Sequence, residues 1–312
     1  MGTNLSHLMA QQIDKVVLYT MNRWLPDSFV ESYQNAPTLE TVLAETAVNR
    51  QKTITYALTA PGTHTIWLDT AAGPIQCRVR VQPTTRPSAP LIIYHHGLNE
   101  YPYDNSGRRI FPKSASFPAH VAFIQAPYHD HWKNPFDKGF QSIRTVYQIF
   151  AGSLRMMSLV QKAFEQQGAA FTILAGVSWG GITSMLYEGM FQRTRAVVPM
   201  LSSPRLAQVM WDVAHLFDRD IPVSKQQLDA LLDFTPYYRR ITTERIFPLL
   251  GELDQFFLLP KHGDVYLQDR VKTIEASHIT GMWQAPVLRE HVAQALAWAW
   301  ENPRNDQKLM SR

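Results

Sequence analysis

The chain has 312 residues, of which 45% are hydrophobic, 11% aromatic and 18% charged. That composition excludes disordered, collagen-like and coiled-coil classes and leaves a globular protein with ample apolar surface to bury. Its 30 Lys+Arg and 26 Asp+Glu give a net charge of +4, and the basic residues fall in scattered pairs such as Arg108-Arg109 and Arg239-Arg240, so no nucleic-acid partner is expected.

The first fifty residues read as a helical extension: Ile13, Val16, Val17, Leu18, Met21 and Trp24 recur near the helical period until Pro26 and Asp27 end the pattern. This helix is expected to cover a sheet edge. No run approaches ~18 apolar residues, and the N-terminus lacks the basic, apolar and small-residue order of a leader, so a cytoplasmic chain without a membrane span is expected. Short β-type runs follow at Thr53 to Leu58, His64 to Leu68 and Ile75 to Val81, separated by Pro61-Gly62 and Ala72-Gly73-Pro74. They predict antiparallel strands, with the lone cysteine, Cys77, as a buried and unreactive thiol.

Leu91 to Tyr94 and Val121 to Ile124 are continuous apolar runs, as expected of parallel strands covered on both faces. A long amphipathic helix is predicted between Phe140 and Gln166, with Gly168 as its C-terminal stop. Then come Phe171 to Leu174, a helix from about Gly181 to Arg193, and Ala196 to Met200. Strand, helix, strand, helix, strand is the rhythm of right-handed βαβ units, so the fold class is α/β with a mostly parallel central sheet flanked by helices. Two helical stretches, Leu206 to Phe217 and Ser224 to Phe234, interrupt it. Ile246 to Leu250, Val271 to Ile274 and a last helix through Val287, Val292, Leu296 and Trp300 complete it. The reading divides the chain into a 1–50 extension, a core of 51–204 and 242–312, and a 205–241 helical cap.

Gly176-Val177-Ser178-Trp179-Gly180-Gly181 follows an apolar strand and precedes a helix. A serine thrown out of so tight a turn needs small residues two before and two after it, and Gly176 and Gly180 supply them. The helix that starts here aims its N-terminal amides at the anion formed when Ser178 attacks a carbonyl.

With this motif the chain resembles the α/β-hydrolase superfamily, in its esterase and dienelactone-hydrolase-like branch, with serine where some of those enzymes carry cysteine. The resemblance spans roughly Thr53 to Asn302. Its second element is Tyr94-His95-His96-Gly97-Leu98, where the family turns the chain to supply an oxyanion-hole amide; by position the two backbone N–H donors are Trp179 and Leu98. Leu98-Asn99 departs here from the lipase-type H-G-G-G form. The resemblance places an acid and then a histidine after the serine: Asp254 in Gly251-Glu252-Leu253-Asp254, with Glu252 as rival, and His278 after the β-branched run Val271 to Ile274. Ser178 is then the nucleophile, His278 the general base, and Asp254 the group that fixes the imidazole.

The implied function is hydrolysis of carboxylic esters of small molecules through an acyl-enzyme, with no metal and no organic cofactor. Amidase, peptidase and thioesterase activities use the same triad, and a non-catalytic binding protein on this fold is the reading from another class. His129-Asp130-His131, with His95 and His96, form an alternative zinc-binding set, although the H-E-x-x-H spacing is absent. The 205–241 insertion is expected to lie over Ser178, with Trp211, Phe217 and His96 as candidate pocket residues; otherwise its apolar side chains merely pack it onto the core.

Overall fold

The computed structural model describes residues 5–115, 117–267 and 270–303. Residues 304–312 of the expected core lie outside that set. The centre of the molecule is a nine-stranded sheet: β1 (Ala47–Val48), β2 (Gly62–Thr70), β3 (Gly73–Gln82), β4 (Leu91–His95), β5 (His120–Ile124), β6 (Thr172–Val177), β7 (Ala196–Met200), β8 (Leu249–Gly251) and β9 (Lys272–Ile274). Their order is β1-β2-β3-β5-β4-β6-β7-β8-β9. The first three strands pair antiparallel and β3 runs antiparallel to β5, whereas every pairing from β5 to β9 is parallel.

Burial follows composition. β4, β5, β6 and β7, the continuous apolar runs, are buried at every position because helices cover both faces. β2 and β3 alternate, and Cys77 lies on the inward face of β3, where burial pushes its thiol pKa up. The helix Ile143–Gln166 opens with a capping box at Ser142 and closes before Gly168, which takes φ +97°.

Three expectations are corrected. Thr53 to Leu58 is not a strand: Thr55–Ala57 is a single 3₁₀ turn, and the Thr53 hydroxyl accepts the Trp67 N–H from β2 instead of joining a ladder. The sheet begins earlier, at β1, inside the segment read as a purely helical extension. The N-terminal helix, Leu5–Trp24, does not cover a sheet edge. Its buried face is Ala10, Asp14 and Leu18, while Val16 is exposed, and it packs against the helix His278–Met282 and the helix Leu206–Leu216, over the carboxyl ends of the parallel strands. The stripe is rotated because buried hydrogen-bond donors wait there for Asp14.

The inserted helices Leu206–Leu216 and Lys225–Leu232 form a loop pinched at its neck, where the Arg205 and Asp233 backbones pair in an isolated antiparallel β-bridge and Phe234 N–H donates to Pro204 O. The Arg219 guanidinium then donates to Asn22 O, Leu25 O and the Asp27 carboxylate, tying this insertion to the N-terminal segment. Among the described residues, no helix is long and apolar enough to cross a membrane.

Candidate active site

Ser178 stands between β6 and the helix Trp179–Phe191 at φ 53°, ψ −120°, a conformation that β-carbon residues rarely adopt. The turn closes only because its flanks are glycine. A Cβ on Gly176 would lie 2.3 Å from the Gly180 carbonyl carbon, and one on Gly180 would lie 2.0 Å from His95 O. Ser178 N–H is tied to Met200 O at 2.9 Å, which fixes the elbow to β7. The indole of Trp179 stacks on Phe150, with ring centroids 4.2 Å apart and planes 9° from parallel, so the first helical turn cannot rotate.

His278 follows the N-cap Ser277 just beyond β9. Its Nε2 accepts from Ser178 Oγ at 2.9 Å, and its Nδ1–H donates to Asp254 Oδ2 at 2.8 Å. Asp254 Oδ1 accepts in turn from Phe256 N–H and Phe257 N–H at 2.7 and 2.8 Å. Both aromatic rings flank the imidazole, Phe256 stacking on it at 4.3 Å. The structure therefore brings Ser178, His278 and Asp254 into one chain of hydrogen bonds. Glu252 is exposed and accepts from the Thr273 hydroxyl.

Burial by itself lowers an imidazole pKa, but the charge of Asp254 and its hydrogen bond, with the charge of Asp14 added, turn the net shift of His278 upward. His278 accepts a proton only while neutral. kcat/KM for any substrate attacked by Ser178 is therefore expected to fall as pH drops through an inflection above about 6.5, the ordinary imidazole value. A pH–rate profile checks this, and an inflection below that value contradicts the assignment.

The turn after β4 is held by three buried histidines. His96 Nδ1–H donates to Gly97 O at 2.7 Å while its Nε2 accepts Ala126 N–H; His129 Nε2 accepts Asn99 N–H while its Nδ1–H donates to Pro127 O. His95 is engaged by His96 O and Ser153 Oγ. Burial holds all three neutral, with His95 and His129 pushed down to about 4. Both ring nitrogens of each are committed to protein partners, which gives the polar pairs of the motif a structural use and no free lone pair for a cation. Glu100 also reaches this turn, at Gly97 N, and burial raises its carboxyl to about 7. Among the described residues, neither Leu98 N–H nor Trp179 N–H has a protein partner. Gly97 brings the turn against Ser178: a Cβ there would be 3.5 Å from Ser178 Cβ.

No sequence-family model and no curated protein matches the chain. Solved structures do. A putative hydrolase from Agrobacterium vitis is 12% identical with a TM-score of 0.54, the match covering 75% of this chain and 98% of that one. An enol-lactonase from Burkholderia xenovorans is 18% identical (TM-score 0.50; 72% and 97% covered), and Est1E from Butyrivibrio proteoclasticus is 14% identical (TM-score 0.50; 75% and 99% covered). They share this sheet and its helices. The chain has the α/β-hydrolase fold.

On this α/β-hydrolase frame, a cavity opens beside Ser178 and His278. Its wall is mostly apolar, with Asn22, Arg219 and Asp220 as the polar exceptions beside Ser178 and His278. Leu206, Val209, Met210 and Val213 face it from the inserted helix, and Val17, Leu18 and Met21 from the N-terminal helix. The pocket expectation is corrected here: none of Trp211, Phe217 and His96 lines the cavity. Spacing of i, i+3, i+4, i+7 puts Leu206, Val209, Met210 and Val213 on one face, so Trp211 falls on another and meets the tilted His215 ring, with centroids 4.5 Å apart. Phe217 lies past the last helical turn and meets Tyr19 edge-on; His96 is committed to its loop. On the far side of the N-terminal helix a second groove runs past Gly97 and Leu98 to Glu100, Asn105, Arg109 and Trp283. It shares Val17, Met21, Gly97, Leu98, Ile279 and Met282 with the cavity, so the helix divides an apolar side from a more polar one.

Sequence reasoning missed the N-terminal contribution. No local signal marks it, because the partners of Asp14 lie 241 or more residues away in the chain.

Proposed function

We propose that the protein is a serine hydrolase that cleaves carboxylic esters carrying an apolar acyl group. The observation that carries this reading is the hydrogen-bonded line Ser178–His278–Asp254, with Ser178 held at a strained elbow beside an apolar cavity. Ser178 Oγ attacks the carbonyl carbon as His278 Nε2 takes its proton, and Asp254 stabilises the imidazolium. The negative charge that develops on the carbonyl oxygen is met by the free N–H groups of Trp179 and Leu98. The intermediate then expels the alkoxide, to which the imidazolium returns the proton, leaving an acyl-enzyme. A water deprotonated by the same imidazole attacks the acyl carbon and releases the acid and Ser178. Amides and thioesters follow the same steps with other leaving groups.

The acyl chain is assigned to the apolar side of the site and the leaving group to the groove beyond the N-terminal helix. Filling the cavity tests that assignment. Val209→Phe is expected to lower kcat/KM for octanoyl esters while leaving acetyl esters nearly unchanged, with discrimination of about 1–3 kcal/mol per methylene excluded. Trp211→Ala and Phe217→Ala are expected to leave the chain-length profile as it is. A panel of acetyl through octanoyl esters, with matched amides and thioesters, measures both the acyl preference and the bond cleaved. An unaltered profile in folded Val209→Phe would place the acyl group elsewhere.

A further inference from the structure

Asp14 is fully buried on the N-terminal helix, remote in sequence from every residue of the proposed triad. Its Oδ2 accepts from His278 N–H at 2.8 Å and from Gln255 N–H at 3.0 Å; its Oδ1 accepts from Ser277 Oγ at 2.9 Å and from Ile279 N–H at 3.0 Å. All four donors belong to the two loops that carry the acid and the base: Gln255 follows Asp254, and Ser277 and Ile279 flank His278. A buried carboxylate is costly unless donors surround it, and these four meet that demand.

We propose that Asp14 is a positioning residue, a carboxylate clamp through which the N-terminal helix joins the Asp254 loop to the His278 turn and holds the imidazole in line between Ser178 and Asp254. The proposal rests on the serine-hydrolase reading. It follows from what the clamp connects. His278 sits on a helix of only five residues; upstream of it Ile274 O and Ala276 O accept from Glu252 N–H and Leu253 N–H just past β8, but among the described residues only Asp14 accepts from the His278 backbone N–H. Without Asp14 the peptide N–H groups at 278 and 279 lose their acceptor in a dry site, and the turn must move to find another. A displacement of about 1 Å at the imidazole is enough to cost roughly 10²-fold in rate. The titratable groups acting on the ring are Asp254, at hydrogen-bond distance, and Asp14; Ser178 faces Nε2, and Phe256 and Phe257 cover the faces. Asp14 thus also adds negative charge that favours the imidazolium formed during the reaction.

The test uses the full-length chain with Asp14→Asn, and His7→Ala as a control that removes the pairing of the same helix with Glu275 without touching the clamp. An amide presents two of its hydrogens where the carboxylate presented an oxygen, so two of the four donors lose their acceptor. kcat on an acetyl ester is expected to fall about 10²-fold with KM within about threefold. The His278 imidazole, titrated by NMR, is expected to shift to lower pH, because the negative charge of Asp14 favours its protonated form. His7→Ala is expected to change neither. The NMR titration needs no turnover, so it separates failure of the clamp from failure of the hydrolase reading, which shows instead as full turnover in Ser178→Ala. A folded Asp14→Asn protein with unchanged kcat and an unshifted His278 overturns the proposal. If Asp14→Asn does not fold, amide exchange in the wild type decides: slow exchange at Gln255, His278 and Ile279 supports the clamp, and exchange as fast as in exposed loops overturns it.

Discussion

Ser178→Ala is expected to lower kcat by about 10⁴- to 10⁶-fold, and His278→Ala by nearly as much, because nucleophile and base act as one unit and either loss removes the whole covalent route. The double variant is expected to be no worse than either single one. Both proteins should fold, since removal of the Ser178 hydroxyl leaves the elbow's backbone bond to Met200 and its glycine flanks intact. A fluorophosphonate probe is expected to label the peptide containing Ser178 in the wild type and to leave it unlabelled in Ser178→Ala. His291→Ala should have little effect on rate: its Nε2–H donates to Phe247 O on the far side of the sheet, and burial pushes its pKa down to about 4. Label on another serine, with activity kept in Ser178→Ala, would end the proposed mechanism.

Asp254→Asn is expected to cost about 10⁴-fold in kcat while leaving the fold and KM close to wild type. The reason lies in the two sides of the carboxylate. Oδ1 accepts two backbone N–H groups, so an amide keeps its oxygen there and is forced to turn its NH₂ toward His278 Nδ1. The imidazole must then carry its proton on Nε2, where it can no longer accept from Ser178. Loss of the negative charge also removes the leading contribution that raises the His278 pKa, so the acid limb of the remaining activity is expected to move to lower pH. Asp254→Ala should be less well folded, because it leaves Phe256 N–H and Phe257 N–H buried without an acceptor. Measurement of kcat, KM and thermal stability for the two variants separates these effects. An Asp254→Asn enzyme within tenfold of wild type would move the orienting role to another acid.

The helix that carries Asp14 changes what counts as the site. An α/β core with a strand-end serine, acid and histidine would read as complete from Thr53 onward. Here the N-terminal helix supplies one wall of the cavity, separates the apolar side from the more polar groove, and bonds to the loops bearing Asp254 and His278. Arg219 ties the N-terminal segment to the inserted 205–241 segment, so two parts of the chain distant in sequence line the cavity beside Ser178 together.

Features that depend on near neighbours are legible in the amino-acid order. Continuous apolar runs at Leu91 to Tyr94 and Phe171 to Leu174 require strands covered on both faces, and the apolar spacing between Ile143 and Phe164 requires an amphipathic helix; both come from periodicities a few residues long. The elbow was equally legible, because the close approach of Gly176 to Gly180 is a local necessity. Thr53 to Leu58 shows where such reasoning stops: β-branched residues favour a strand, but a hydroxyl that accepts from β2 and an exposed Ile54 decided for a turn. Contacts between residues far apart in the chain are set only when the chain folds. Trp211 and Val209 are equally apolar, and only the docked rotation of their helix puts one at the cavity and the other away from it. His95, His96 and His129 could be ligands in a sequence, and became loop supports once each ring nitrogen met its partner. Asp14 meets His278 across 264 residues, and no local pattern carries that information, since a buried acid and a solvated acid look alike until the chain has closed around its four donors.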